Sequence, residues 1–279
     1  MALDDLTGRT AVVTGAGSGI GRALALRLAR EGMAVHAVDI EPPAVDQTAE
    51  QVDDGSITPH VTDVADPDAV HDLATEVFAT HDTIHLLCNN AGVFQGGLAW
   101  ERSAADWAWT LGVNLYGLIN GVQAFLPRML EIGEPGHVVN TASMAGHICA
   151  PYAGPYQVSK FAAYGYSESL GHDLAAVGAD IGVSVLCPSL VATGIGTSGR
   201  NRPPSMPASG GDDVDFVEQV LVQTTTELGL DPAVVADQVI AAVQAGAFFI
   251  PTNDDYRVWL EGHAEDLVAR RLPRMVDYS

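Results

Sequence analysis

The sequence predicts a doubly wound α/β fold in one domain, and three observations predict it. Apolar, β-rich runs alternate with helical patterns from residue 10 to about residue 190. The strand, helix, strand spacing suits parallel pairing through crossover helices, and a glycine-rich turn follows the first apolar run directly. At 279 residues with 47% hydrophobic content, the chain can bury a core of the required size.

Taken in order, "TAVVT" (10–14) reads as a strand, followed by a helix near 19–31, the strand "AVHAVD" (34–39) and a helix after Pro42 and Pro43. "ITPHV" (57–61) is the third strand. Asp66-Pro67 then pairs an N-cap with proline at the first helical position and opens a helix to about residue 80. "IHLLCN" (84–89), a long helix near 103–130, "HVVNTA" (137–142), a helix near 156–177 and "GVSVLC" (182–187) complete the alternation. The stretch 194–213 is rich in Gly, Pro and Ser and predicts an irregular surface loop. With the helical pattern after it, this loop is expected to form a lid at about 194–228. Asp231-Pro232 caps a further helix, "AGAFFI" (245–250) is the last strand, and a peripheral tail runs from about 251 to 279.

Composition narrows the function. A formal charge of −22 excludes a cationic footprint for nucleic acid or an anionic membrane surface. Cys88, Cys149 and Cys187 are odd in number, widely spaced and without a CxxC pair, so they read as reduced thiols of a cytoplasmic protein. The opening "MALDDLTGRT" has neither a basic n-region nor an apolar h-region, and no export signal is expected. Two stretches free of charge, 107–127 and 181–199, carry polar residues and glycines and do not read as membrane spans.

The turn "TGAGSGIG" (14–21) places Gly15, Gly17, Gly19 and Gly21 between a strand and a helix, with Ser18 and Ile20 among them. Such glycines let backbone approach a pyrophosphate, whose charge then faces the N–H groups of the helix terminus. Asp39 ends the second strand, where a carboxylate can accept from ribose hydroxyls and would repel a 2′-phosphate. Ser18 and Ile40 stand where a 2′-phosphate site would profit from a cation, so the expected cofactor is NAD.

Together with that turn, "DV" at 63–64, "NNAG" at 89–92, "NLYG" at 114–117, Ser143 and "YQVSK" at 156–160 resemble, in order and spacing, the short-chain dehydrogenase/reductase family. The resemblance covers roughly residues 7–195. It implies a single-domain Rossmann fold with a seven-stranded parallel sheet, hydride transfer between NAD(P) and an alcohol or carbonyl, and a homodimer or homotetramer. It also implies roles: Tyr156 as general acid/base, Ser143 holding the substrate oxygen, Lys160 and Asn114 as partners, Asp63 and Asn90 helping to hold the adenosine half, and Val64 and Gly92 also among the cofactor-binding residues. Val191 and Thr193 would meet the nicotinamide carboxamide. The sequence departs from the family at Ser189, where glycine is usual; serine lacks glycine's freedom at positive φ, which puts the pocket floor in question.

The chemistry of the residues agrees. Lys160 is the single lysine among 13 basic residues, and it stands four positions after Tyr156 on one helical face. A free tyrosine titrates near ~10, so acting as a base near neutrality requires about 3–4 kcal/mol of preferential phenolate stabilisation. A compact ammonium can supply much of that, whereas arginine's planar fork spreads its charge. Other chemistries lack a motif: there is no GxSxG and no HExxH, and no metal is expected.

Phe94, Met144, His147 and Tyr152, with Val93 and the loop after Thr193, are the expected pocket walls. They favour a medium-sized, largely apolar secondary alcohol or ketone, aryl or alicyclic. Two alternatives remain open: a 3-oxoacyl thioester reductase and a non-catalytic NAD-binding regulator. The uncharged helix near 103–130 and the one near 156–177 are the expected subunit interface.

Overall fold

A computed structural model describes residues 2–53 and 55–275. Its strands are β1 (Thr10–Thr14), β2 (Ala34–Asp39), β3 (Ile57–Val61), β4 (Leu86–Asn89), β5 (Gly136–Thr141), β6 (Ile181–Cys187) and β7 (Phe249–Pro251). Its helices are α1 (Gly19–Arg30), α2 (Pro42–Ala49), α3 (Pro67–Thr80), α4 (Ala104–Leu111), α5 (Gly117–Ile132), α6 (Gly154–Ala176), α7 (Asp212–Leu228), α8 (Pro232–Ala245) and α9 (Tyr256–Val268). Among the described residues seven strands form one parallel sheet in the order β3-β2-β1-β4-β5-β6-β7. The order reverses between β1 and β4, and ligands bind at such a switch point, beyond the carboxyl ends of the strands.

Side-chain alternation sends β1 to both faces. Ala11 and Val13 pack with Leu24 and Leu28 of α1 and Val235 and Val239 of α8. Val12 faces the other way, into Val77 of α3, Phe125 and Met129 of α5 and Leu170 of α6. Being covered on both faces, the central strands are buried along their whole length and mostly apolar.

Local signals start the helices. The Asp66 carboxylate accepts from the N–H groups of Asp68 and Ala69 at the head of α3, Asp231 accepts from Ala233 at α8, and Ser103 and Asp106 form a reciprocal capping box at α4.

Three expectations change. The long helix near 103–130 is interrupted by one π turn, Gly112–Tyr116, which separates α4 from α5 and sits at Asn114. The last strand is Phe249–Pro251 rather than 245–250, because Gly246, at φ 65°, forms the left-handed C-cap of α8. Residues 194–201 of the expected irregular loop form 3-10 turns. The tail is helical as α9, and residues 276–279 of it lie outside the described residues. The three cysteines are free, and no described helix is long and apolar enough to cross a membrane.

Candidate active site

One cavity of about 820 Å³ lies over the carboxyl ends of the strands. At one end are Gly15, Ser18, Gly19, Ile20 and Asp39; Tyr156, Lys160 and Ser143 are at the other, with Asp63, Val64, Asn90, Gly92, Val191 and Thr193 between.

The glycine turn is built by close approach. A Cβ on Gly21 would stand 2.1 Å from the Gly15 carbonyl oxygen and 2.6 Å from Asn90 Nδ2, so Gly21 serves packing behind the cavity rather than its wall. A Cβ on Gly17 would stand 2.8 Å from Asp39 Oδ2, which instead accepts from the Gly17 N–H at 2.8 Å. Gly19 has φ 50° and faces Thr193, whose Cγ2 would lie 2.9 Å from an added Cβ. Asn90 ties the exit of β4 to β1: its N–H donates to Thr14 Oγ1 at 2.9 Å and its Nδ2 to the Thr14 carbonyl at 3.0 Å. Asp63 accepts from the Ala65 N–H at 2.9 Å.

This cradle fits a dinucleotide. Ser18 caps α1 in extended backbone with no side-chain bond to the helix, and no acidic residue occupies the first turn. The helix terminus therefore keeps its N–H groups and partial positive charge for a pyrophosphate. Asp39 lines the same end of the cavity.

At the other end, Lys160 is 3% exposed and its Nζ donates to the Thr141 carbonyl at 2.9 Å. Burial pulls the ammonium down to about 8. The neighbouring Cys187 is pushed up to about 12 by burial and stays a thiol. Lys160 Nζ lies 5.7 Å from the centre of the Tyr156 ring, and the Phe94 ring packs on Tyr156 at 5.2 Å. Ser143 Oγ donates to the Pro188 carbonyl at 3.3 Å and accepts from the Ala145 N–H at 3.1 Å.

Asn114 is buried behind this end, held by the π turn. Its Oδ1 accepts from the Val93 N–H at 2.8 Å, while Nδ2 donates to the Val93 carbonyl and to Ser159 Oγ, each at 2.9 Å. Ser159 Oγ in turn donates to the Tyr156 carbonyl at 2.6 Å. Asn114 thus reaches Tyr156 through Ser159, a residue the sequence reading passed over although it lies inside "YQVSK". Asn114 and Lys160 do not bond to each other; they flank Gly92, where an added Cβ would stand 3.4 and 3.5 Å from Oδ1 and Nζ.

Phe94, Met144 and Tyr152 line the cavity; His147 does not. The 3-10 turn Met144–Gly146 carries its ring away, onto Tyr164 at 4.2 Å and Phe249 at 5.3 Å, with Nε2 3.6 Å from Cys187 Sγ. Tyr152 adopts φ 62°, a strained value for a tyrosine, and packs edge-on against Phe216 of α7. Ser189 needs none of glycine's freedom: its φ is not positive, and its N–H donates to Thr252 Oγ1 at 3.0 Å.

One buried and one partly buried ion pair fasten the loop after β6. Arg202 Nη2 lies 2.8 Å from Asp106 Oδ1, with side chains 6% and 0% exposed, and Nη1 donates to Gln95 Oε1 at 2.7 Å. Burial alone would raise the Asp106 carboxyl, but hydrogen bonds from Ser209 and Ser103 outweigh it and hold the group at about 2. Arg102 Nη2 pairs with Asp213 Oδ2 at 3.0 Å, and Ser198 Oγ accepts from the Phe94 N–H at 2.8 Å. The expectation that no cation reaches the adenosine end also changes. Arg200, 161 positions in sequence beyond Asp39, lines the cavity there and pairs with Glu41 at 2.9 Å.

A family model described as short chain dehydrogenase matches residues 9–203. A Mycobacterium tuberculosis protein named "Probable oxidoreductase EphD" is 37% identical over 238 residues, 83% of this chain; the chain spans only 39% of that relative's length. A Streptomyces avermitilis protein named "1-deoxy-11-beta-hydroxypentalenate dehydrogenase" is 35% identical over 95% of this chain and 92% of its own. A crystal structure of a short chain dehydrogenase/reductase from Burkholderia phymatum in complex with NAD superposes with a TM-score of 0.96 at 35% identity, covering 99% of this chain and 100% of that one.

Proposed function

Because the chain belongs to the short-chain dehydrogenase family, we propose that it is an NAD-dependent oxidoreductase acting on a medium-sized, largely apolar secondary alcohol or ketone, aryl or alicyclic. The observation that carries this reading is one cavity with a glycine cradle and Asp39 at one end and Tyr156, Ser143 and Lys160 at the other. NAD supplies, when bound, the centre that accepts or gives the hydride. Tyr156 takes the hydroxyl proton during oxidation and returns one to the carbonyl oxygen during reduction. Ser143, turning its hydroxyl from the Pro188 carbonyl, donates to that same oxygen and fixes it against the phenol. Lys160 holds positive charge beside the ring and favours the phenolate. Asn114 positions Tyr156 through Ser159.

The walls support an apolar substrate: Phe94, Met144, Tyr152 and Phe216 face the cavity, with Val217 and Leu221 of α7. The Streptomyces relative, whose name denotes a hydroxylated compound, is in keeping with an alicyclic alcohol. We place a homodimer or homotetramer in the same reading, in which a partner covers the exposed Tyr116, Val158 and Phe161 around α5 and α6. The test follows NADH absorbance with NAD⁺ or NADP⁺ against aliphatic, alicyclic, aryl and steroidal secondary alcohols. NADH formed with NAD⁺ and an aryl or alicyclic alcohol is expected; turnover confined to NADP⁺ or to acyl thioesters would overturn the assignment.

A further inference from the structure

Asp39 is the one residue at the adenosine end whose charge the sequence brings into play, but it does not act in isolation. Its Oδ1 accepts from the N–H of Glu41 at 3.0 Å, which fixes the backbone of a second carboxylate two residues on. Glu41 Oε1 then gathers three donors: Arg200 Nη2 at 2.9 Å, Arg200 Nε at 3.1 Å and Asn201 Nδ2 at 2.9 Å. The bond from Asn201 and the pairing with Arg200 hold the Glu41 carboxyl below its ordinary value. Arg200 Nη1 is spent on the Thr197 carbonyl at 3.1 Å and the Gly194 carbonyl at 3.4 Å. Arg22, on α1, does not line the cavity and is committed to the Gly17 and Ala44 carbonyls and Thr48 Oγ1.

We propose that Glu41 is a second determinant of cofactor choice, which works by holding Arg200 captive. A 2′-phosphorylated dinucleotide brings a doubly charged group with three acceptor oxygens, and a guanidinium at the mouth of the groove is the side chain best shaped to receive it. Paired with Glu41, Arg200 offers that phosphate no net charge and keeps only one Nη2 hydrogen uncommitted, and the carboxylate adds repulsion to that of Asp39. The pair is half-exposed, so it contributes little to stability. Its worth lies in discrimination, which is a difference between two affinities and is served by a repulsive element as well as an attractive one.

The inference rests on reading the groove as a dinucleotide site, and the experiment separates the two claims. Dissociation constants for NADH and NADPH are measured by quenching of protein fluorescence for the wild type, Glu41→Gln and Glu41→Gln/Arg200→Ala, at one low salt concentration. The wild type is expected to prefer NADH. Glu41→Gln should tighten NADPH relative to NADH at least tenfold, and adding Arg200→Ala should return the ratio to within twofold of wild type. An unchanged ratio in Glu41→Gln, or a gain that survives the loss of Arg200, would overturn the role of the pair. Absence of NADH binding by the wild type would overturn the dinucleotide reading and this inference with it.

Discussion

The glycine turn after β1 and the loop after β6 border the same cavity, but they are held by opposite means. The turn is kept by the absence of side chains: Gly15, Gly17 and Gly21 bring backbone within reach of Ala91, Asp39 and Asn90, and contacts run between segments that each carry a short local pattern. The loop is kept by long side chains that reach across the chain, Arg202 to a buried Asp106 and a buried Arg102 to a half-buried Asp213, about a hundred residues apart. Backbone-built sites announce themselves in a few consecutive residues. Sites built by distant ion pairs do not, since nothing in the composition of either segment names its partner.

The largest expected effect breaks the lid side. Asp106→Ala leaves the Arg202 guanidinium buried and unpaired, a loss of about 3–5 kcal/mol. Urea unfolding followed by circular dichroism measures it, and a loss below about 1 kcal/mol would mean that the loop is not fastened there. Next comes the turn itself. Gly21→Ala drives a Cβ into the Gly15 carbonyl, an overpacking cost at the upper end of about 1–3 kcal/mol, accompanied by weaker NADH binding. Fluorescence titration and thermal melts read both.

A third prediction concerns β2 and β3, at the edge of the sheet opposite β7. His36 is buried, its Nδ1 sits 2.8 Å from His60 Nε2, and burial together with His60 and His81 pulls it to about 4. Above the ordinary value of 6.5 the ring is neutral in both folded and unfolded chains. As pH falls from 6.5 toward 4 the unfolded chain binds a proton that the folded one refuses, and stability drops by about 1.4 kcal/mol per pH unit from this group. Denaturant midpoints against pH test this, and His36→Phe should flatten the slope. The smallest effect is Ser189→Gly: the position has ordinary backbone geometry, so glycine should cost about 0.4–1 kcal/mol through the unfolded chain while turnover is unchanged.

These contrasts explain what could be read from the sequence. The alternation of strands and helices, the turn at 14–21, Asp39 and the Tyr156–Lys160 spacing each rest on local periodicity or on residues a few positions apart; the alternation is found as expected, and Gly15, Asp39, Tyr156 and Lys160 line one cavity. The π turn at Asn114 was hidden because the residues around it are helical in pattern, and what opens the helix there is a tertiary bond to Val93. His147 was misplaced because a 3-10 turn, rather than an extended loop, leads away from Ser143. Arg200 was missed because its partner, Glu41, lies 159 residues earlier.

The account depends above all on Tyr156 moving the substrate proton. Tyr156→Phe removes only the hydroxyl, and steady-state turnover of the best secondary alcohol should be compared with NADH affinity measured on the same preparation. The prediction is a fall in kcat of about 10²–10⁴-fold, with the NADH dissociation constant unchanged within about twofold. Turnover undiminished in Tyr156→Phe would contradict the role assigned to this residue and, with it, the chemistry proposed for the site.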